Sequence, residues 1–308
     1  MNNGYGALLT RIEKINDNLL KKKAISEYGK NRITHEINFY KKIISENINF
    51  PVPKIQNIDY INYSFELEYL NTYITCQNYL THDNNNIIIK KIYNDLNILH
   101  KNQMIVSKNT FNEDLILETY GKIKNRFNEI REIIDKYKFI KKVNGQKILE
   151  FAHIIEFIEK YINNYIKNNN SYTYNLIHGD LQLNNILVDN YDIKYIDPRG
   201  FFGKTALYGL KEYDYAKLQF GLGGYSYFDT KIVDELNIID DNIIIDIKKI
   251  KDYEFNELNL TNMFIICIWL GNAHCFKNNE FKMIESYFYA IYVASRFMSN
   301  TMKVNNNA

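Results

Sequence analysis

The stretch that decides the fold is residues 175–203, NLIHGDLQLNNILVDNYDIKYIDPRGFFG. Two short apolar runs, residues 186–188 and 193–196, lie on either side of a polar pair at residues 189 and 190. Short apolar segments around a polar turn are typical of a β-hairpin. The stretch therefore predicts a small hairpin, preceded by the polar segment HGDLQLNN and followed directly by Asp197.

Widely spaced polar side chains frame this hairpin. His178, Gly179 and Asp180 open the segment, Asn185 lies five residues after Asp180, and Asp197 follows twelve positions after Asn185. The pattern H-G-D-x-x-x-x-N-I-L, then a hairpin, then I-D, resembles the aminoglycoside phosphotransferase and choline kinase group of kinase-like small-molecule phosphotransferases.

Two further segments extend the resemblance over most of residues 1–220. Residues 213–218, YDYAKL, are similar to the Y-D-L-A-K-L segment of that group, and Leu99 and His100 are similar to its L-H at the end of the first large-lobe helix. The resemblance implies an α+β, protein-kinase-like two-lobed fold. A small antiparallel-sheet N-terminal lobe that binds nucleotide is expected over residues 1–70, and a mainly helical C-terminal lobe with the catalytic loop and acceptor site over residues 71–308.

The resemblance also implies a reaction that uses ATP or GTP, and phosphoryl-transfer chemistry explains the residue types. Transfer needs a carboxylate that orients the acceptor hydroxyl and accepts its proton, together with oxygen ligands for Mg²⁺. Asp180 suits the first role. Asn185 offers the metal a neutral oxygen and Asp197 offers a charged one. Two acids and an amide at these spacings favour a catalytic over a purely structural use.

The N-terminal quarter has a β-β-α-β-β pattern. Four short apolar-rich runs predict two hairpins, and they span residues 7–16, 18–25, 55–61 and 63–69. Between the hairpins, apolar residues recur at helical spacing from Ile33 to Ile44 and predict an amphipathic helix that begins after Thr34. From about residue 87 the period is helical, with long amphipathic stretches at 111–138 and 147–167.

By the same resemblance, a lysine of the second strand contacts the nucleotide phosphates and Glu36 on the following helix pairs with it. Neighbouring side chains of a strand point to opposite faces, so either Lys22 alone or Lys21 and Lys23 together face the nucleotide. Lys22 is favoured because that register puts Leu20 on the same face, against the adenine. A solvated edge-strand charge for the lysine and an exposed helix-start acid for Glu36 stay open.

Two other segments are assigned to the nucleotide. Residues 66–70, ELEYL, resemble the hinge between the lobes, where backbone groups near Glu68 to Leu70 would hydrogen-bond the adenine; the alternative is an ordinary final strand. Gly4 and Gly6 would let the backbone approach the phosphates. Only three residues precede Gly4, so we expect the family's first strand to be missing. Either a shorter roof covers the nucleotide, or the chain begins downstream of the usual start.

Charged and aromatic residues do not identify the chemical class of the acceptor. Arg199 in the I-D-P-R-G segment could pair with a phosphate or an anionic acceptor through its planar fork, or it could hold the loop to a neighbouring carboxylate. Acids between residues 229 and 257 would suit a cationic acceptor, but they alternate with lysines and are better explained as a solvated face. Trp269, Tyr225 and Tyr227 could cage a quaternary ammonium, although 26 tyrosines in the chain weaken that inference.

Composition and charge exclude several classes. Of the 308 residues, 46% are hydrophobic and 24% are charged, which are ordinary values for a globular protein. The chain has 38 Lys and Arg and 36 Asp and Glu, and the resulting net charge of +2 gives no reason to expect a nucleic-acid partner. Three cysteines without C-x-x-C spacing argue against a disulfide scaffold and fit a reducing cytoplasm. The longest apolar run, residues 263–270, is too short for a hydrocarbon core of ~30 Å. We expect a soluble, cytoplasmic protein without a membrane partner, and the oligomeric state stays open.

These features predict an ATP- or GTP-dependent, Mg²⁺-dependent kinase that transfers the γ-phosphate to an alcohol group of a small molecule. A sugar, an amino alcohol or an aminoglycoside is the expected acceptor. A non-catalytic nucleotide-binding module of kinase-like fold is the alternative. Protein kinase activity is disfavoured because no A-P-E-like segment or evident activation loop lies between Asp197 and Asp214.

Overall fold

The structure, a computed structural model, describes residues 9–82, 86–255 and 257–306. It divides into two compact units. The first comprises the chain up to Val106 together with Thr173–Thr230, and the second comprises Ser107–Tyr172 together with the chain from Lys231 onward. The N-terminal sheet and the stretch around Asp180 therefore belong to the same unit.

The strands are mostly short. In chain order they are β1 (Thr10–Asn16), β2 (Leu19–Ala24), β3 (Ile55–Asp59), β4 (Ser64–Glu68), β5 (Ile74–Thr75), β6 (Gln103–Ile105), β7 (Lys142–Val143), β8 (Gln146–Lys147), β9 (Thr173–Leu176), β10 (Ile186–Asp189), β11 (Asp192–Tyr195), β12 (Phe201–Phe202), β13 (Thr205–Ala206), β14 (Tyr208–Gly209), β15 (Ile238–Ile239) and β16 (Asn242–Ile243).

Helices occupy much more of the chain. In chain order they are α1 (Glu27–Ser45), α2 (Cys76–His82), α3 (Asn86–Leu99), α4 (Lys108–Ile116), α5 (Lys122–Asp135), α6 (Phe151–Asn168), α7 (Lys211–Phe220), α8 (Ser226–Thr230), α9 (Leu260–Asn272) and α10 (Glu280–Asn306). Short π-helical segments join α4 to α5 and α7 to α8, and short 3-10 turns precede β10 and follow α9.

The N-terminal sheet has the strand order β1-β2-β4-β3, and every neighbouring pair is antiparallel. The two predicted hairpins are confirmed. Helix α1 lies between them in sequence and buries Ile33, Ile37 and Tyr40, which are members of the predicted helical series. This arrangement places β2 and α1 side by side.

Helix α1 begins earlier than its apolar spacing predicted. Ser26 caps it by accepting a hydrogen bond on its Oγ from the amide of Gly29 at 3.0 Å. Thr34, which was expected to precede the helix, lies inside it and donates its hydroxyl to the carbonyl of Lys30. The apolar spacing did not indicate this earlier start, because residues 27–32 carry few apolar side chains.

The predicted small hairpin is confirmed as β10 and β11, which pair antiparallel and extend to β5. A second three-stranded sheet of the first unit has the order β14-β9-β6. Phe50 stacks on Tyr195 of β11 with ring centroids 4.3 Å apart, and the Tyr195 hydroxyl donates to Asp95 at 3.0 Å. These contacts hold the hairpin, and the loops at its ends, in the core of the first unit.

The second unit is mainly helical. Helix α9 is buried on all its faces, which is typical of a central core helix. The predicted stretch 111–138 is helical but divided, because Thr119 has non-helical angles (φ −116°, ψ −118°) inside the π segment. Within the described ranges, no helix has the length and apolar character that crossing a membrane requires.

Candidate active site

Strand β2 and helix α1 bring a buried ion pair together. Lys22 lies opposite Ile12 of β1 and Phe65 of β4, and its Nζ is 2.7 Å from Oε2 of Glu36. Burial lowers the pKa of Lys22, but the carboxylates of Asp197 and Glu36 outweigh burial and the pKa is raised. Burial raises the pKa of Glu36, and the charge of Lys22 offsets only part of that rise.

The register of β2 is the favoured one of the two that alternation allowed. Lys22 is buried, Lys23 is exposed and Leu20 is half-buried. The structure therefore brings Lys22 and Glu36 together as expected from the resemblance. Contact between Lys22 and a nucleotide stays a prediction.

Asp197 lies two residues after β11 and has a φ of +56°. A residue other than glycine is uncommon in this left-handed region, and such positions cluster at functional sites. Its Oδ1 is 2.7 Å from Nζ of Lys22 and 3.4 Å from Nη2 of Arg32. Burial raises the pKa of Asp197, but these two cations outweigh it and hold the pKa well below its usual range. The carboxylate is therefore ionised.

The segment from Asp180 to Asn185 folds back on itself. The side-chain amide nitrogen of Asn185 donates to the backbone oxygen of Asp180 at 2.8 Å and to its Oδ2 at 3.3 Å. From helix α7, Nζ of Lys217 lies 3.0 Å from Oδ1 of Asp180. Burial raises the pKa of Asp180, but the charges of Lys217 and Arg32 outweigh it and the pKa is lowered. Asp180 is thus an ionised carboxylate that can accept a hydrogen bond from a hydroxyl group.

A buried carboxylate fixes the backbone immediately before Asp180. Asp214, which has no exposed side-chain surface, accepts the amide of His178 on Oδ2 at 2.9 Å and the amide of Gly179 on Oδ1 at 2.7 Å. Its Oδ2 is also 3.1 Å from Nε2 of His100. Gly179 has a φ of +77°, a conformation that favours glycine. Asp214 therefore positions the loop instead of facing a substrate.

The His178 ring also supports the loop. Its Nδ1 accepts the backbone amide of Asp180 at 3.3 Å, and its Nε2 is 3.0 Å from the carbonyl of Ile196. This pair of contacts assigns a neutral ring with the proton on Nε2. Burial lowers the pKa of His178 despite the nearby carboxylates. The ring links the segment that contains Asp180 to the segment that contains Asp197.

The I-D-P-R-G segment packs tightly against helix α1. Gly200 has a φ of +68°, and a Cβ built there would lie 2.7 Å from the carbonyl oxygen of His35. Arg199 donates from Nη1 to the Tyr213 hydroxyl at 2.9 Å, and its guanidinium lies 4.0 Å from the ring centroid of Phe201. The close approach at Gly200 explains the glycine, and contact between Arg199 and a ligand anion stays a prediction.

In the predicted hinge, residues 66–70, some of the backbone amides already have hydrogen-bond partners. The backbone amides of Glu68 and Tyr69 already donate to the carbonyl groups of Lys54 and Asn18, both at 2.9 Å. Among the residues that the structure describes, none accepts the amide of Leu70. Adenine binding by this segment stays a prediction, for which the amide of Leu70 is the available backbone donor.

Other predicted residues do not join this cluster. Gly4 and Gly6 lie outside the described residues. Trp269 belongs to the second unit and is fully buried; its Nε1 donates to the Tyr253 hydroxyl at 2.6 Å, and its ring meets Tyr289 edge-on. Because it packs in a core, Trp269 has no surface for an ammonium cage.

Two cations of the site were missed in the sequence. Arg32 lies one helical turn before Glu36, so the i, i+4 spacing places both on one face of α1, and this spacing was the available signal. Lys217 belongs to the quoted YDYAKL segment, where it served only to establish the resemblance. Both contacts join residues far apart in sequence, since Arg32 reaches Asp197 and Lys217 reaches Asp180.

The residues fit a magnesium ion held jointly with a nucleotide. Both cations that contact Asp197 use Oδ1, so its Oδ2 can bind a metal, and the amide oxygen of Asn185 can do the same because the nitrogen of that amide faces Asp180. Across residues 9–82, 86–255 and 257–306, no group of three or more His, Cys, Asp or Glu side chains forms a metal site. One carboxylate and one amide, completed by phosphate oxygens, suit Mg²⁺.

Solved structures place this geometry among known folds. A choline/ethanolamine kinase family protein from Mesorhizobium loti is 7% identical, with a TM-score of 0.57 over 95% of this chain and 88% of that one. The GDP and kanamycin complex of APH(2")-IIia is 12% identical, with a TM-score of 0.53 over 95% and 90%. Choline kinase LicA from Streptococcus pneumoniae is 11% identical, with a TM-score of 0.50 over 94% and 90%.

Sequence comparison alone finds no relative: no protein-family model matches the chain, and no curated protein matches it. The similarity is therefore one of fold, and it extends over nearly the whole chain. The antiparallel N-terminal sheet and the mainly helical remainder agree with it. The chain has the α+β, kinase-like fold shared by aminoglycoside phosphotransferases and choline kinase family proteins, and the resemblance that its H-G-D-x-x-x-x-N segment predicted is confirmed at the level of the fold.

Proposed function

We propose that this protein is an ATP- and Mg²⁺-dependent phosphotransferase that moves the γ-phosphate of the nucleotide to a hydroxyl group of a small molecule. The observation that carries the proposal is the convergence of one ionised cluster from four separate parts of the first unit. Lys22 of β2, Glu36 of α1 and Asp197 after the hairpin are in direct contact. Arg32 of α1 and Asp197 lie close enough to Asp180 to act on its pKa.

Each member of the cluster has a task in this reaction. Lys22, which Glu36 holds in place, binds the nucleotide phosphates that are not transferred. Asp180 orients the acceptor hydroxyl and accepts its proton as the phosphoryl group moves to the oxygen. Because phosphoryl transfer passes through a loose transition state, orientation matters more than strong basicity. A carboxylate with a lowered pKa, as in Asp180, suits that role.

A magnesium ion bound by Asn185 and Asp197 would neutralise charge on the phosphates. Asp214 and His178 keep Asp180 in position through backbone contacts and touch no reacting group. The backbone amide of Leu70 contributes to adenine binding, and GTP is the alternative phosphoryl donor. The acceptor candidates are sugars, amino alcohols and aminoglycosides, and we propose the cytoplasm as the location of the protein.

Product formation from a pool of acceptors tests the proposal. The purified protein is incubated with ATP, Mg²⁺ and pooled sugars, amino alcohols and aminoglycosides, and phosphorylated products are identified by mass spectrometry. Asp180→Asn should lose about 10²–10⁴-fold in turnover. Asp189→Asn, which changes a carboxylate at the turn of the β10–β11 hairpin that accepts a hydrogen bond from the Thr72 hydroxyl, is the matched control and should retain activity.

Three outcomes separate the possibilities. Product formed by wild type and Asp189→Asn but not by Asp180→Asn supports the phosphotransferase. Equal turnover by Asp180→Asn contradicts the role of Asp180. Binding of ATP and Mg²⁺ without any product from the pool favours the non-catalytic nucleotide-binding module.

A further inference from the structure

Arg32 lies on the same face of helix α1 as Glu36, because residues four apart on a helix are neighbours on its surface. Its Nη2 is 3.4 Å from Oδ1 of Asp197, the carboxylate proposed to bind Mg²⁺. The Arg32 side chain is 18% exposed. The guanidinium group is therefore largely withdrawn from water and still open to it.

Most hydrogen-bond donors of this guanidinium group are unused. Arginine has five N–H donors in a rigid planar fork, and nowhere in the described part of the chain does the Arg32 side chain make a hydrogen bond other than the one to Asp197. None of its nitrogens is a fully buried atom without a partner, so the unpaired N–H groups are accessible from solvent. Such a fork suits an oxyanion that can accept two parallel hydrogen bonds.

Holding Asp197 in place does not account for Arg32. The same Oδ1 is already 2.7 Å from Nζ of Lys22, whereas the contact with Arg32 is longer and uses one nitrogen. An arginine that serves to fix a carboxylate commonly binds it with two nitrogens. The contact with Asp197 therefore leaves Arg32 available for a second anionic partner.

The proposed reaction places the transferred phosphoryl group near Arg32. Asp197 would hold the metal that binds the γ-phosphate, and Asp180 would hold the hydroxyl that attacks it, so the phosphoryl group passes between the ligands of these two residues. Burial lowers the pKa of Arg32 and the charge of Arg199 acts in the same direction, but the carboxylates of Asp197, Asp180 and Glu36 outweigh both and the pKa is raised. A charged guanidinium group thus lies close to both carboxylates.

We propose that Arg32 is a catalytic residue that binds the phosphoryl group while it is transferred. This inference rests on the proposed phosphotransferase function and deepens it. In the step, an electron pair of the acceptor oxygen forms the bond to the γ-phosphorus, and the bond from that phosphorus to the β–γ bridging oxygen breaks, with its electron pair leaving on ADP. The proton of the hydroxyl passes to Asp180. A preorganised cation stabilises the charge on the transferred oxygens.

A mimic of the phosphoryl group tests the inference without any acceptor. Affinity for ADP and Mg²⁺ is measured by calorimetry with and without fluoroaluminate, which takes the place of the transferred group. Fluoroaluminate should raise the affinity of wild type at least about tenfold. Arg32→Gln should lose most of this gain while its affinity for ADP and Mg²⁺ alone stays within about twofold of wild type. Lys41→Gln, which removes an exposed lysine of the same helix, is the matched control and should keep the gain.

Turnover gives a second measurement, with an acceptor from the pooled assay. Arg32→Gln should lower kcat about 10²–10³-fold with little change in KM for ATP, because the interaction is strongest in the transition state. Arg32→Lys keeps the charge beside Asp197 but lacks the planar fork, so it should recover only part of the fluoroaluminate gain and of kcat. It also serves as the second variant if Arg32→Gln folds poorly.

The outcomes separate this inference from the proposed function. An equal fluoroaluminate gain in wild type and Arg32→Gln overturns the inference and leaves the phosphotransferase intact. If Arg32→Gln loses the same factor in affinity for ADP and Mg²⁺ with and without fluoroaluminate, Arg32 only positions Asp197 and the inference is wrong. If fluoroaluminate adds nothing in wild type, the inference is also wrong, and product formation from the pooled acceptors decides on the phosphotransferase separately.

Discussion

Two regions of this protein, the charged cluster of the first unit and helix α9 of the second, bury side chains of opposite character. The first unit buries charged side chains against one another, including Lys22, Glu36 and Asp214. The core of the second unit contains helix α9, whose thirteen residues are apolar or small along most of its length and are buried in every turn except at Thr261. Buried ion pairs contribute little net stability because desolvation offsets their attraction, whereas apolar burial stabilises directly. The charged cluster is therefore best explained by chemistry and α9 by stability.

Lys22→Met should have the largest effect in the first unit. Removing one partner of a buried ion pair leaves an uncompensated charge and costs about 3–5 kcal/mol in the free energy of unfolding, and stabilisation by nucleotide should also be lost. Denaturant unfolding with and without ATP and Mg²⁺ measures both. Lys23→Met, on the same strand but exposed, is the control, and identical behaviour of the two variants would contradict the account.

Trp269→Ala should destabilise the second unit by a comparable amount and leave nucleotide binding unchanged. Loss of a fully buried aromatic side chain costs about 3–5 kcal/mol, and Tyr253 would also lose the donor at its hydroxyl. The same unfolding experiment should show a nucleotide-induced stabilisation close to that of wild type. Phe281→Ala, which changes a partly exposed ring on α10, should cost much less. A specific loss of nucleotide binding in Trp269→Ala would break the contrast between the units.

Gly200→Ala should lower the free energy of unfolding by an intermediate amount, because backbone strain and a steric clash add. Its positive φ strains any other residue by about 1 kcal/mol, and the new Cβ would meet the His35 carbonyl at 2.7 Å. Gly145 has a similar φ of +77° with open space around it, so Gly145→Ala isolates the backbone cost. The difference in unfolding free energy between the two variants measures the close approach. Equal values would show that helix α1 yields to the added methyl group.

The smallest expected effect is a dependence of stability on pH through His178. Its pKa is lowered in the folded protein, so the unfolded chain binds more protons near the ordinary pKa of 6.5, and stability falls as the pH falls through that value. The slope is at most about 1.4 kcal/mol per pH unit for one proton. Thermal unfolding between pH 7.5 and 5.5 should show a shallower decline in His178→Asn than in wild type. His153→Asn, an exposed histidine, should follow wild type.

The same difference between the units explains what could be predicted from the sequence. The hairpins follow from short apolar runs around polar turns, which are local features. Alternation along β2 left two registers, and the choice of Lys22 came from the resemblance. The spacing of Asp180, Asn185 and Asp197 was informative because one loop and one hairpin connect all three. The first turn of α1 was missed because its stabilising contact is a polar cap at Ser26 instead of an apolar face.

Contacts between distant parts of the chain could not be predicted in this way. Arg32 meets Asp197 across 165 positions, and Lys217 lies on a helix that follows the loop from Asp180 to Asn185 by a long connection. No periodicity encodes such a meeting, since it depends on how α1 and α7 pack around the loop. The state of the backbone amides before Leu70 likewise depends on distant residues, because the amides of Glu68 and Tyr69 donate to the carbonyl groups of Lys54 and Asn18.

The most direct test of the central claim, that the charged cluster binds nucleotide through magnesium, compares ATP affinity with and without Mg²⁺ by calorimetry. Wild type and Asp180→Asn should both bind ATP more tightly with Mg²⁺, because the role proposed for Asp180 concerns the acceptor and not the nucleotide. Asp197→Ala should lose this enhancement, which corresponds to about tenfold or more in affinity. Asp189→Ala should behave as wild type. An unchanged Mg²⁺ dependence in Asp197→Ala would contradict the account and move the metal site elsewhere.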